Sequence, residues 1–175
     1  ISRYHCFGYL PALVKLAGVS ASIGEEEHTL SGETDLGKLL FELDPILLDG
    51  VYVFCTVTDP MSESLPRLKP LASFSEEEGL SLLISQEQAH AEGLDYQGVF
   101  KGITLRVHSS LDAVGLTAAV SSLLADRGIP ANVIAARYHD HVFVPQGKAS
   151  EALELLQAMV GHKSDPILTH RGYSK

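Results

Sequence analysis

The sequence predicts an α+β fold made of two related units packed together, with mostly antiparallel sheets and helices on one face. Three observations carry that prediction. Short β-branched and aromatic runs alternate with amphipathic helical stretches. From Val99 onward the order is strand, helix, strand, strand, helix, which lacks only a closing strand to complete a split βαβ unit. Finally, Leu82-Leu83-Ile84-Ser85-Gln86 followed by Ala89 is echoed about sixty residues later by Val142-Phe143-Val144-Pro145-Gln146 followed by Ala149. Both segments read as a strand running straight into a helix. The first unit shows no evident opening strand, so the two halves are expected to share strands across one sheet.

Taken in order, residues 1–32 hold an apolar patch (Leu10 to Val19) and the run Gly24-Glu25-Glu26-Glu27. The patch is too short and poorly flanked for a signal peptide, and the segment reads as an N-terminal extension. Leu36, Leu39, Leu40 and Leu43 then recur at helical spacing after Thr34, the expected N-cap, and Pro45 ends or bends that helix. Val51 to Val57, following Asp49-Gly50, reads as a strand, and Asp59 to Pro70, with three prolines, as a loop. The run Glu76-Glu77-Glu78 reads as a solvated loop before a strand from Leu80 to Ile84. Gln86 to Glu92 is a short helix stopped by Gly93, and Val99 to Val107 a long strand. Leu116, Val120, Leu123 and Leu124 form one face of a helix that Gly128-Ile129-Pro130 terminates. Asn132 to Ala136 and His141 to Val144 are strands joined by a polar turn around His139-Asp140. Ala149, Ala152, Leu153, Leu156 and Val160 mark the last helix. Tyr52, Phe54, Phe74 and Phe100 are expected in the core. The units divide as residues 33–98 and 99–162, with a tail at 163–175.

Composition narrows the function. The chain has 175 residues, 45% hydrophobic and 20% charged, which suits a globular protein with a core. A net charge of -9 without clustered Lys or Arg argues against nucleic acid. No stretch approaches the roughly 20 apolar residues of a membrane span. Cys6 and Cys55 lie far apart, and Cys55 sits in an apolar strand pattern as a buried small hydrophobe. A reducing cytoplasm fits that usage.

The candidate site is Val107-His108-Ser109-Ser110-Leu111-Asp112-Ala113-Val114-Gly115-Leu116, followed by Asn132-Val133-Ile134-Ala135. A strand, a small polar turn and a helix start place hydroxyls and backbone N–H groups where partial positive charge suits a carboxylate. An asparagine on the neighbouring strand offers both a donor and an acceptor. The same residues allow a plainer reading. Ser110 or Asp112 can cap the helix, and Gly115, Ala118 and Ala119 can let it lie close to the sheet. His139-Asp140-His141 places two imidazoles at alternate strand positions, but no third and fourth ligands accompany them, and no metal or cofactor is expected. His108 and Ser109 are strand neighbours facing opposite ways, which does not make a nucleophile and its base.

Ser109 to Leu116 with Asn132-Val133-Ile134 resembles the ligand loop and second strand of ACT domains, small regulatory modules of amino-acid metabolism. The longer series Asp49 to Val57, Glu78-Gly79-Leu80, Val107 to Ser110 and Tyr138 to Val144 is similar to small stand-alone bacterial proteins with tandem ACT-like domains. The resemblance spans roughly Leu36 to Val160 and implies two ferredoxin-like (βαββαβ) units. It also implies that Ser109, Ser110, Leu111 and Asp112 face an amino acid, that Val114, Gly115 and Leu116 line its pocket, and that Asn132, Val133 and Ile134 close it. Asp112 either pairs with the ligand ammonium or caps. The function implied is a non-catalytic amino-acid sensor, working as a homodimer because ferredoxin-like units leave a helix-free face or an open edge. The alternative is a structural or protein-interaction module with a vestigial pocket.

Overall fold

A computed structural model describes residues 32–58 and 67–160. Its elements are α1 (Leu36–Phe41), β1 (Pro45–Leu47), β2 (Tyr52–Val57), β3 (Ala72–Glu76), β4 (Gly79–Ser85), α2 (Gln86–Ala91), β5 (Phe100–Leu105), α3 (Leu116–Ala125), β6 (Asn132–Ala135), β7 (Asp140–Pro145) and α4 (Ala149–Met159). The N-terminal extension, Cys6, the prolines Pro60 and Pro66, and the C-terminal tail lie outside the described residues.

All seven strands join one antiparallel sheet in the order β3-β4-β2-β5-β7-β6, with β1 also pairing β5. The junction is at β5. One edge of that strand pairs along its length with β7. The other edge is divided: Ile103 to Leu105 pair with β1, while Phe100 alone meets Tyr52 of β2. This division shows how strands are shared. The first unit is β2, β3, β4 and α2, closed by β5. The second opens on that same β5, continues through α3, β6, β7 and α4, and is closed by β1 from upstream. Each therefore has the ferredoxin-like strand order, closing–first–third–second. The expectation that the first unit lacks an opening strand is corrected, because β2 is that strand. It is the second unit that borrows one.

Three further elements differ from the sequence reading. Asp35, not Thr34, caps α1, its carboxylate accepting from the Lys38 N–H at 2.9 Å. Pro45 does end that stretch and then opens β1, a position where its missing N–H costs little. Edge strand β3 was hidden because Ala72 to Glu76 is mostly polar and solvent-facing, so no alternation marks it.

Alternation on the inner strands decides the core. Val53, Cys55 and Val57 of β2 and Leu82 and Ile84 of β4 pack with Ala89 of α2. Ile103, Leu105, Val142 and Val144 pack against Leu39, Val120, Leu124 and Leu156 from the other three helices. The four α-helices among the described residues therefore cover one face, and the described residues lie in one compact unit. Tyr52, Phe54 and Phe100 occupy the opposite face, half-buried, with Phe143 fully buried among them. Tyr52 and Phe143 meet edge-to-face at 5.7 Å, and Phe54 and Phe100 at 5.4 Å. Phe74 is 47% exposed and is not a core residue.

Candidate functional site

β5 ends at Leu105, and the chain from Val107 to Gly115 folds over the helix side of the sheet before α3 begins. The loop holds itself together. The Ser110 hydroxyl accepts from the Asp112 N–H at 3.2 Å, and the Ser110 carbonyl accepts from the Ala113 N–H at 2.9 Å. A segment from before α1 adds a short parallel bridge: Glu33 N–H donates to the His108 carbonyl and Ser110 N–H to the Glu33 carbonyl, both at 3.0 Å. This strap lies so close that a Cβ on Gly32 would run into the Ser110 backbone. Several loop N–H groups expected to face a ligand are therefore committed within the chain.

The helix start is different. Gly115 occupies the N-cap of α3 with φ +110°, a conformation open to glycine, and α3 has no side-chain cap. Neither Ser110 nor Asp112 caps it, which removes that reading of both residues. The first-turn N–H groups of this helix have no partner within it, and they carry the positive end of the helix dipole.

Beside this helix start is a small cavity of about 70 Å³, lined by Ser109, Ser110, Leu111, Ala113, Leu116, Thr117, Ala135 and Asp140. Of the expected residues, the structure brings Ser109, Ser110, Leu111 and Leu116 together here. Asp112 is exposed outside the cavity, Val114 is 84% exposed, and Gly115 packs towards Leu36. The second strand is placed otherwise than expected. Asn132 and Ile134 pair with Phe143 and His141, which puts them on the helix-free face. Asn132 donates through Nδ2 to the Phe143 carbonyl at 3.4 Å. Val133 packs against the core beneath the helices. Ala135, one residue beyond, is what reaches the cavity.

Asp140 is the residue the sequence reading missed. The residue is 7% exposed and lines the cavity, and its carboxylate oxygens, which no ion pair holds among the described residues, keep a contact with solvent. Burial pushes its pKa above the ordinary value, and the nearby His141 and His139 offset this only in part. The signal was present in the sequence. Asp140, Val142 and Val144 alternate, so an aspartate stands in register with the inward-facing valines. The strand begins at Asp140, one residue before the start that the sequence predicts.

The histidines do not converge on an ion. His141 is on the opposite face from Asp140 and shares a hydrogen bond through Nδ1 with the Thr104 hydroxyl at 2.9 Å. His139 Nδ1 is 3.4 Å from the Val107 carbonyl. No cluster of three or more metal-ligating side chains occurs among the described residues. Cys55 is buried, and that burial raises its thiol pKa, as suits a packing residue.

Residues 31–101 match one profile described as an ACT domain, and residues 101–158 match a second. A Vibrio cholerae protein of unknown function, described as a possible transport protein, has 48% identity over 73% of this chain and 96% of its own, with a TM-score of 0.65. The chain belongs to the ACT domain family. A protein from Agrobacterium tumefaciens is similar in fold at 17% identity and a TM-score of 0.57, over 69% of this chain and 90% of its own. The regulatory subunit of aspartate kinase from Thermus thermophilus is similar at 10% identity and a TM-score of 0.47, over 66% and 95%. No curated protein has significant sequence similarity to the chain. The two ACT profiles meet at Lys101, within shared strand β5.

Proposed function

We propose that this tandem ACT protein is a non-catalytic amino-acid sensor whose ligand enters the cavity between the Ser109–Leu116 loop, the start of α3 and Asp140. One observation carries the reading: an uncapped helix N-terminus and an unpaired, nearly buried carboxylate line the same small cavity. The helix start suits a ligand carboxylate and Asp140 a ligand ammonium, so together they match a zwitterion. Ser109, Ser110 and Thr117 supply hydroxyls, while Leu111 and Leu116 supply apolar wall. Asp140 takes the ammonium role that the sequence had offered to Asp112. The cavity suits the ligand's polar end, and the side chain of the amino acid points outward past Leu111.

Binding there would shift the balance between packings of the loop, because a ligand acts only through its differential affinity for two states. The chain works as a homodimer in this reading. Support comes from Leu111, Val114 and Tyr138, which are 67%, 84% and 55% exposed around the loop. Strand β2 gives no such support, because its apolar residues Val53, Cys55 and Val57 are already buried within the chain. We place the protein in the cytoplasm, consistent with the free, buried Cys55. No helix among the described residues is long and apolar enough to cross a membrane. The unit boundary proposed at residues 98 and 99 falls just before β5.

A second reading has its own observation. The strap and the loop's internal bonds consume backbone donors, as they would in an interaction module with a vestigial pocket. Thermal-shift and calorimetric titration with the twenty amino acids separates the two. Selective, saturable stabilisation that Asp140→Asn weakens by about 1–3 kcal/mol supports the sensor. A flat response across all twenty replaces it with the interaction module.

A further inference from the structure

The helix-free face holds a second cavity, of about 250 Å³, formed where the two ends of the sheet curl towards each other. Leu71 and Phe74 at β3 and Leu83 of β4 approach from one end, and Ile134 of β6 with His141 and Phe143 of β7 from the other. Phe143 and Leu83 are 0% and 1% exposed, although they face away from the helices. Both line this recess, which is sunk between the edges. Leu71 and Phe74 at its rim are each 47% exposed. An edge strand ordinarily carries charge or proline at such positions, so an apolar rim is unusual.

The imidazole of His141, with Ser73 on strand β3, breaks the apolar lining. Thr104 holds His141 through Nδ1, which fixes the ring and leaves its other nitrogen without a partner among the described residues. Asp140 and His141 are strand neighbours with opposite directions, so this cavity is separate from the one beneath the loop. We propose that the recess is a second ligand site, for a compact, largely apolar molecule of single-ring size bearing one hydrogen-bonding group. Its apolar body rests on Phe143 and Leu83, and its polar group meets the free nitrogen of His141. Small-molecule sites have this make-up, mostly apolar with a few placed polar groups. An apolar cavity of about 150 Å³ already admits benzene, so the space here takes a ring with a substituent. A flat protein surface would touch Phe74 and Leu71 but not reach the recessed floor.

The test is titration of the full chain with phenol, and separately with toluene, followed by amide and methyl NMR shifts. Phenol is expected to saturate a single site with shifts centred on Leu83, Ile134 and Phe143. Toluene should bind the same place roughly fivefold or more weakly, the worth of one hydrogen bond. His141→Leu should erase the preference for phenol while keeping toluene binding. Ala136→Phe, which fills the recess from its exposed rim, should abolish both; Phe74→Ser gives a second rim change, expected to weaken both. Shifts that never saturate, or that scatter over the surface, overturn the proposal. So do concentration-dependent shifts of the same residues without any probe, which would mean that a second copy covers the recess.

Discussion

Asp140 shows how a single side chain sets a conflict between folding and recognition. Its pKa is raised above 3.8 in the fold, so the stability it contributes is full below that value and is lost as pH rises through the folded pKa. At neutral pH the ionised carboxylate is therefore a cost. Asp140→Asn is expected to raise the melting temperature at pH 7, with the gain shrinking towards acid pH, while ligand-induced stabilisation falls. Melting curves of both proteins across that range check it; equal curves at pH 7 would remove Asp140 from the site. His141 behaves in the opposite sense. Burial and the neighbouring His139 hold its pKa below 6.5, against a smaller pull from Asp140. Its contribution is full above 6.5 and is lost as pH falls through the folded value. His141→Gln should flatten the pH dependence of the denaturation midpoint just below neutrality.

At the element scale, the loop and α3 depend on two glycines for different reasons. Gly115 has φ +110°, and a Cβ there would sit 2.9 Å from Leu36 Cδ2. Gly115→Val is accordingly expected to destabilise the protein by about 1–3 kcal/mol, read from urea unfolding, and so is a poor probe of binding alone. Gly32 matters because of a backbone neighbour that cannot move aside. Gly32→Ala should displace the strap and open the Glu33–Ser109 bridge. Hydrogen exchange at the Ser110 amide then accelerates, and if the strap competes with the ligand for this loop, amino-acid affinity rises. Unchanged exchange would show that the strap does not bear on the loop.

The whole molecule is bound together by strand sharing. β5 closes one ACT unit and opens the other, and β1 from upstream completes the second. Unfolding should therefore be a single cooperative transition, with fluorescence and circular dichroism midpoints that coincide. A fragment of residues 99–160 leaves an edge of β5 bare and is expected to be unfolded or aggregated alone. Supplying residues 32–50 as a peptide should restore dispersed NMR signals. A fragment that folds by itself would show that β1 is dispensable.

Local pattern was enough to mark the helices and the inner strands, while the ACT family came from the resemblance of the motifs. Leu36 to Leu43, Leu116 to Leu124 and Ala149 to Val160 have one apolar face each, and Val53, Cys55 and Val57 alternate. Such periodicities survive any packing because they state which side must leave water. The Ser109–Leu116 turn was legible for the same reason, as a polar break with a glycine where a helix must start. Tertiary structure decided what periodicity does not encode. β1 is three residues long and β3 faces solvent, so neither leaves a pattern, and both exist because a neighbouring strand offers its edge. The same holds for the site. Asn132 went to the other face and Asp140 came in, since a shift of one residue along a strand reverses every side chain. The β6–β7 hairpin fixes that register locally, and the pairing of β7 with the distant β5 decides which face of the hairpin the helices cover.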